Sequence, residues 1–339
     1  MSVVVYKQGS DPSAFYRLTE PARVTGTEVV ERLPHVGSAD TVILNRPLDP
    51  GIAEQVRLWR EEGRTVIVDM DDDFDAVVPE HHIHGMYTTE HLHAACKAAS
   101  VVTCSTPALI TRYGYGHGVL LRNKIPESYL SVTRRSRKPV VGWNETLPPD
   151  GTWIGWYGSL GSHPNDPMVA GAAVGAALGT DPDAEFVFAG PPKDGPRLAE
   201  LFDVPAVREL GLFSMGGLIQ VISEFDIGIV PLEHSSFNDA KSWLKGLEFA
   251  AVGVPVVASS TPEYRRMARA QMGGRHGPPV CWLASTPPEW ERQLTKLIRR
   301  PDWRADLAAN GKAWAATQTI ERAADDWRTV WYSHDHATL

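Results

Sequence analysis

Residues 66–75 read VIVDMDDDFD, so Asp69, Asp71, Asp72, Asp73 and Asp75 stand directly behind a β-branched run. Five carboxylates at the end of a strand can hold a metal, supply a nucleophile or organise a loop. Asp69-x-Asp71 has the spacing of a metal-binding D-x-D pair. It also fits a strand-end pair whose first Asp attacks a phosphomonoester, although that pattern expects Thr or Val where this chain has Asp73. Asp69, Asp71 and Asp73 with Glu80 at the twelfth position imitate a calcium loop, but Phe74 holds the sixth position, where Gly is needed, and a strand precedes it. Ordering of a loop by backbone N–H donors and a solvated acidic turn complete the alternatives. Crowded carboxylates repel one another, so a cation or Arg17 is expected nearby.

A second set of residues suits an anion. Residues 237–259 read FNDAKSWLKGLEFAAVGVPVVAS. Ser242 is a candidate N-cap for a helix over 242–252, which Gly253 ends. The helix N-terminus would favour a diphosphate, with Lys241 and Lys245 adding positive charge. Glu248, three residues beyond Lys245 on the same side, is placed to accept hydrogen bonds from ribose hydroxyls. The alternative is a solvated helix face. His81, His82, His84, His91 and His93 have no settled metal-ligand spacing; a phosphate- or hydroxyl-orienting role for one of them or for His163 stays open.

These residues need a scaffold. The chain has 339 residues, 43% hydrophobic and 22% charged, enough for two ordinary globular domains. A net charge of −8 disfavours a large nucleic-acid footprint. Cys96, Cys104 and Cys281 are too few for a disulfide framework, which favours a reducing cytoplasm. No signal-peptide pattern and no apolar run of transmembrane length is expected. Strands over 3–6, 41–44, 65–68, 100–104 and 118–121 alternate with helices over 50–62, 89–99 and 106–113, which predicts a parallel sheet covered on both faces. The basic run 134–138 and the turn-rich 147–151 mark a linker. A second series follows: strands over 153–157, 185–189, 226–230 and 254–258, and helices over 167–178, 217–222 and 242–252. A last helix over 319–332 carries apolar residues at helical spacing. The expected fold is α/β, with two doubly wound domains facing a cleft, and ligands beyond the carboxyl ends of the strands.

Glu248 with Gly253–Ser259 resembles the glutamate helix and G-x-P-V-[VI]-A-[ST] run of retaining GT-B glycosyltransferases of the family 4 type. Gly155–Ser159 resembles the glycine turn that opens their donor domain, Phe188–Gly190 its strand-end glycine, and Phe225–Leu232 the strand before the donor loop. The likeness runs in order over about 160 residues. The first half matches more loosely, through Tyr16–Arg17 with Pro21, the strand into Asp71–Asp73, Cys104–Thr106 and Leu121–Asn123, as in a subgroup with phage and bacterial members. Two departures stand out. Ala240 occupies the position of a second acidic residue that holds sugar hydroxyls, and Ser159, Gly161 and Ser162 precede the first basic residue, His163, after the glycine turn.

The resemblance implies a GT-B fold of two Rossmann-like domains, residues 1–148 for the acceptor and 149–316 for the donor, with 317–339 packing back on the first. It implies transfer of a sugar from a UDP- or GDP-sugar to a hydroxyl acceptor (protein, glycan or small molecule) with retention, no required cofactor and no resident metal. Lys241, Lys245 and Asp71 would act in catalysis. Gly158, Ser159, Gly190, Asn238, Asp239, Ser242, Trp243 and Glu248 would bind the donor. Arg17, Asp72 and His82 would line the acceptor side, the acidic run forming a cleft-facing loop. A cytoplasmic protein of a bacterium or of a phage-infected cell is expected. Other readings stay open: a phage DNA-modifying sugar transferase, disfavoured by the net charge; a dehalogenase-like phosphatase with Asp69 as nucleophile; a metal-dependent GT-A enzyme using the D-x-D pair; and a non-catalytic nucleotide-sugar binder.

Overall fold

The computed structural model describes residues 2–9, 11–134, 151–270 and 278–333. Twelve strands occur in chain order among them: β1 (Val3–Tyr6), β2 (Glu28–Val30), β3 (Thr41–Asn45), β4 (Thr65–Met70), β5 (Val101–Cys104), β6 (Gly118–Leu120), β7 (Trp153–Tyr157), β8 (Glu185–Ala189), β9 (Arg208–Glu209), β10 (Ile227–Val230), β11 (Val256–Ser259) and β12 (Trp282–Ala284). They form two six-stranded parallel sheets, ordered β2-β1-β3-β4-β5-β6 and β12-β11-β10-β7-β8-β9. The chain divides into two compact units. The first holds residues 1–126, 235–242 and 318–339, and the second holds 127–234 and 243–317. Of the expected linker, 135–150 lie outside the described residues.

In the first unit β3 and β4 are buried along almost their whole length, as parallel strands covered on both faces must be. Side-chain alternation divides them between two cores. Val42, Leu44, Val66 and Val68 join Trp59, Leu92 and Tyr113 on one face. Ile43 and Ile67 join Leu18, Trp327 and Trp331 on the other. The expected last helix is Ala324–Trp331, shorter than 319–332; its two tryptophans pack edge to face, 5.4 Å apart. In the second unit Trp156 stacks on Phe188 with ring centroids 5.5 Å apart, inside a core that also takes Phe202, Trp290 and Leu294.

Each sheet has one place where neighbouring strands lead to connections on opposite sides. In the first sheet it lies between β1 and β3; in the second it lies between β7 and β10. Open α/β sheets bind ligands at such switch points, beyond the carboxyl ends of the strands.

Candidate functional site

In the second unit β7 ends at Tyr157 and the chain turns at Gly158, whose φ of 147° favours glycine. A Cβ on Gly190, at the end of neighbouring β8, would lie 2.2 Å from the Gly158 carbonyl oxygen, so a side chain there would block this turn. Lys245 reaches the same turn. Its Nζ donates to the Tyr157 carbonyl at 2.9 Å and lies 4.8 Å from the centre of the Tyr157 ring. A Cβ on Gly158 would sit 3.4 Å from Lys245 Nζ and 3.4 Å from His163 Cδ2. The nearest neighbour of such a Cβ would be Trp156 Cζ2 at 3.1 Å, so glycine lets an ammonium, an imidazole and an indole close around this turn.

The loop after Gly158 is fixed from within. Ser159 Oγ accepts from Gly161 N at 3.1 Å, and Leu160 N donates to Asp194 Oδ2 at 2.8 Å. Asp166 is buried and bridges the switch point: its Oδ2 takes His163 Nδ1 at 2.7 Å and its Oδ1 takes Glu233 N, just past β10, at 2.9 Å. Ser259 Oγ, at the end of β11, accepts from Leu232 N at 2.8 Å. Asp166 was not among the expected site residues. Its signal was its place three residues beyond His163, within the loop after a strand end.

The helix expected over 242–252 is Leu244–Ala251, and its N-cap position is Trp243, with no capping side chain. The Ser242 hydroxyl, one residue earlier, accepts from Asn123 Nδ2 at 2.7 Å within the first unit. The first turn is also less open than a bare helix tip, because Gly246 N donates to Tyr264 Oη at 3.0 Å. Trp243 is buried edge-on against Trp314, a packing position. Glu248 is 4% exposed and accepts a hydrogen bond from Tyr157 Oη, so it lies on no solvated face. Burial, then the Glu248 charge, pushes the Tyr157 phenol well up from its ordinary value. Tyr157 was missed as a site residue because it ends an apolar strand.

Lys241, Asn238 and Asp239 belong to the first unit. A short helix, Ser236–Asp239, is capped by Ser235 Oγ, which accepts from Asn238 N at 3.2 Å. Lys241 ion-pairs with Asp72 at 3.3 Å and lies 4.2 Å above the Phe237 ring, both within the first unit. Ala240 sits in the apolar core, where a carboxylate would be desolvated.

The acidic run is not a solvated turn. Asp69 is 1% exposed and holds Arg17 in a two-pronged ion pair, with Nη2 to Oδ1 at 2.6 Å and Nε to Oδ2 at 3.0 Å. Thr103 Oγ1 adds a third donor at 2.5 Å. That environment removes Asp69 as a nucleophile and with it the phosphatase reading. Arg17 Nη1 donates to Leu121 O and Asn123 Oδ1, and the guanidinium lies 5.0 Å above Trp327. Burial works against its charge and Asp69 more than restores it. Arg17 is therefore an internal tie of the first unit and lines no ligand surface. Asp73 caps a short turn and accepts from Tyr113 Oη at 3.1 Å, while burial raises its pKa. Asp75 pairs with His93 at 2.8 Å. His82 is exposed and stacks on His81, which in turn packs on Phe237.

Asp71 is different. It is buried beyond the end of β4, and burial, opposed by Arg46 and reinforced by Asp72, pushes its carboxyl up to about 6. Arg46, which follows β3, places Nε 3.6 Å from Asp71 Oδ1 and Nη2 2.6 Å from Asp11. Arg46 was also missed, although it stands directly behind TVILN as Asp71 stands behind VIVDM. Among the described residues no group of three or more His, Cys, Asp or Glu side chains is arranged to hold a metal. A hollow of about 920 Å³ lies near residues 179–186 and 203–209, at the amino ends of β8 and β9, opposite the switch point. Among the described residues no helix is long and apolar enough to cross a membrane.

Two parallel sheets of these orders, each wrapped by helices, are the GT-B architecture. The chain superposes on the Anabaena HepE structure in complex with UDP-glucose with a TM-score of 0.66 and 12% identity, over 96% of this chain and 99% of that one. It superposes on a glycosyltransferase from Rickettsia africae with a TM-score of 0.65 and 9% identity, over 98% and 100%. A D-inositol 3-phosphate glycosyltransferase from Streptosporangium roseum is 34% identical over 104 residues, 30% of this chain. The match spans only 22% of that relative's length. No family model matches the chain.

Proposed function

We propose that this chain is a glycosyltransferase that moves a sugar from a UDP- or GDP-sugar to a hydroxyl acceptor with retention at the anomeric carbon. The observation that carries the reading is the glycine turn at Gly158, which Lys245 Nζ and the His163 ring approach at the carboxyl end of β7, beside a switch point. It is supported by the GT-B architecture, by the UDP-glucose held in one structural neighbour, and by the partial likeness to a glycosyltransferase.

In this reading the diphosphate lies over Gly158, whose lack of a side chain lets backbone approach the phosphates. Lys245 stabilises the charge that grows on the leaving phosphate as the bond to the anomeric carbon breaks. His163, held by Asp166, offers a second donor. The acceptor oxygen forms the new bond on the same face, and its proton passes to the departing phosphate oxygen, so no enzyme nucleophile is needed. Glu248, set by Tyr157, accepts from the ribose hydroxyls. A thermal-shift screen of nucleotide sugars tests the proposal: a true donor raises the transition temperature, by an amount that grows with the logarithm of its affinity. No shift with any UDP- or GDP-sugar, together with no nucleotide release, would refute it.

A further inference from the structure

The first unit carries a cluster that donor binding leaves unused. Asn45 closes β3, is 4% exposed, and its Nδ2 has no hydrogen-bond partner in the protein. Asp71, just past neighbouring β4, is 8% exposed, and its Oδ1 accepts no hydrogen bond. Asn45 lies in register with Asp69, two residues before Asp71. Between Asn45 and the next turn stands Arg46 at φ 43°, a left-handed conformation unusual for a residue with a side chain. Gln8, just past β1, donates to the Asn45 carbonyl at 3.1 Å, which ties the two strand ends that flank the switch point.

A buried amide donor without a partner, and a buried carboxylate oxygen that has only the 3.6 Å approach of Arg46 Nε, weaken the fold unless something completes them. A hydroxyl group matches both, because it accepts from an amide and donates to a carboxylate. The charge around the pair decides what else the ligand can carry. Asp11, Asp71 and Asp72 face Arg46 and Lys241, and the two cations are already engaged, Arg46 by Asp11 and Lys241 by Asp72. A phosphate placed here would meet three carboxylates with no free cation among these residues.

Building on the proposed sugar transfer, we infer that the carboxyl end of the first sheet seats an uncharged polyol or sugar as acceptor through Asn45, Arg46 and Asp71, and rejects its phosphorylated counterpart. Asp71 and Asn45 orient the acceptor hydroxyl, and Arg46, clamped by Asp11 and Asp71, fixes the carboxylate that receives it.

The test is saturation-transfer difference NMR on the full chain at neutral pH with matched pairs: methyl α-glucopyranoside against glucose 6-phosphate, and myo-inositol against its 3-phosphate. Each is measured with and without UDP, whose own binding is read by calorimetry on the same sample. The uncharged member of at least one pair is expected to bind about tenfold more tightly than its phosphorylated partner. Asp71→Asn is expected to narrow that gap at least about threefold by removing one negative charge. Equal or tighter binding of the phosphorylated members overturns the inference. So does the failure of every uncharged member to bind, which would leave ordered water as the group that completes Asn45 and Asp71. If Asp71→Asn does not fold, the wild-type panel decides alone. UDP binding without sugar binding overturns only this inference. Sugar binding without affinity for UDP or any UDP- or GDP-sugar overturns the transfer reading instead.

Discussion

Replacing Asp71 by Asn should make the protein more stable at alkaline pH, and the size of the gain follows from the burial of that carboxyl. Its pKa is lifted from the ordinary 3.8 to about 6, chiefly by burial, with Arg46 pulling the other way. Each unit of lift corresponds to about 1.4 kcal/mol, so holding Asp71 ionised in the fold costs about 3 kcal/mol, an order-of-magnitude figure. The attraction of Arg46 is already inside that figure. Because the folded pKa lies above the unfolded one, the stabilising contribution is full below about pH 4 and is lost as pH rises through about 6. Asn keeps the shape of the neutral acid and never ionises. At pH 8 the variant should therefore gain up to about 3 kcal/mol, near pH 5 about half of that, and below pH 4 almost nothing. In a unit of this size that is several degrees or more in the melting transition of the first unit. Urea unfolding of wild type and variant at these pH values measures it, following a probe in the first unit so that two transitions are not merged. A variant less stable than wild type at pH 8, or a difference that does not change with pH, would refute the reasoning. A gain in stability with a loss of acceptor binding would identify Asp71 as a group held for function against the interest of the fold.

Lys245→Ala should lower turnover at least about tenfold with small loss of stability, measured as nucleotide release, since it removes charge from the leaving phosphate; near-normal turnover would deny it the role. Glu248→Ala should weaken UDP binding in calorimetry, and Tyr157→Phe should weaken it less by loosening the carboxylate; unchanged affinity in both would dismiss ribose anchoring. Arg17→Met leaves Asp69 buried and unpaired and should cost about 3–5 kcal/mol in denaturant unfolding, whereas a cost below about 1 kcal/mol would show that the pair is not the tie the structure suggests. Full turnover in EDTA is expected from the front-face scheme, and a strict requirement for added divalent metal would favour a different mechanism.

The sequence by itself determined the two sheets and most of their central strands. β3, β4, β5, β7, β8 and β10 are apolar or β-branched runs because both of their faces are covered, and such runs are legible without partners. β2, β9 and β12 were not legible. Each is a sheet edge of two or three residues, where coverage is partial and no long apolar run is required. Lys245 and Glu248 stood out because charge near a helix start demands particular residue types, whereas Gly158 and Gly190 were legible only through the resemblance to GT-B glycosyltransferases. What the sequence could not decide was which charges face ligand and which face one another. Arg17 and Asp71 looked alike as charged residues expected to line the cleft, yet Arg17 is consumed by Asp69, a partner 52 positions away, while Asp71 keeps an oxygen without a hydrogen bond. Lys241 and Lys245 are four residues apart and fall in different units, because the chain leaves the first at Ser242 and enters the second at Trp243. Pairing between charges depends on distance in space, and only the folded chain sets that distance.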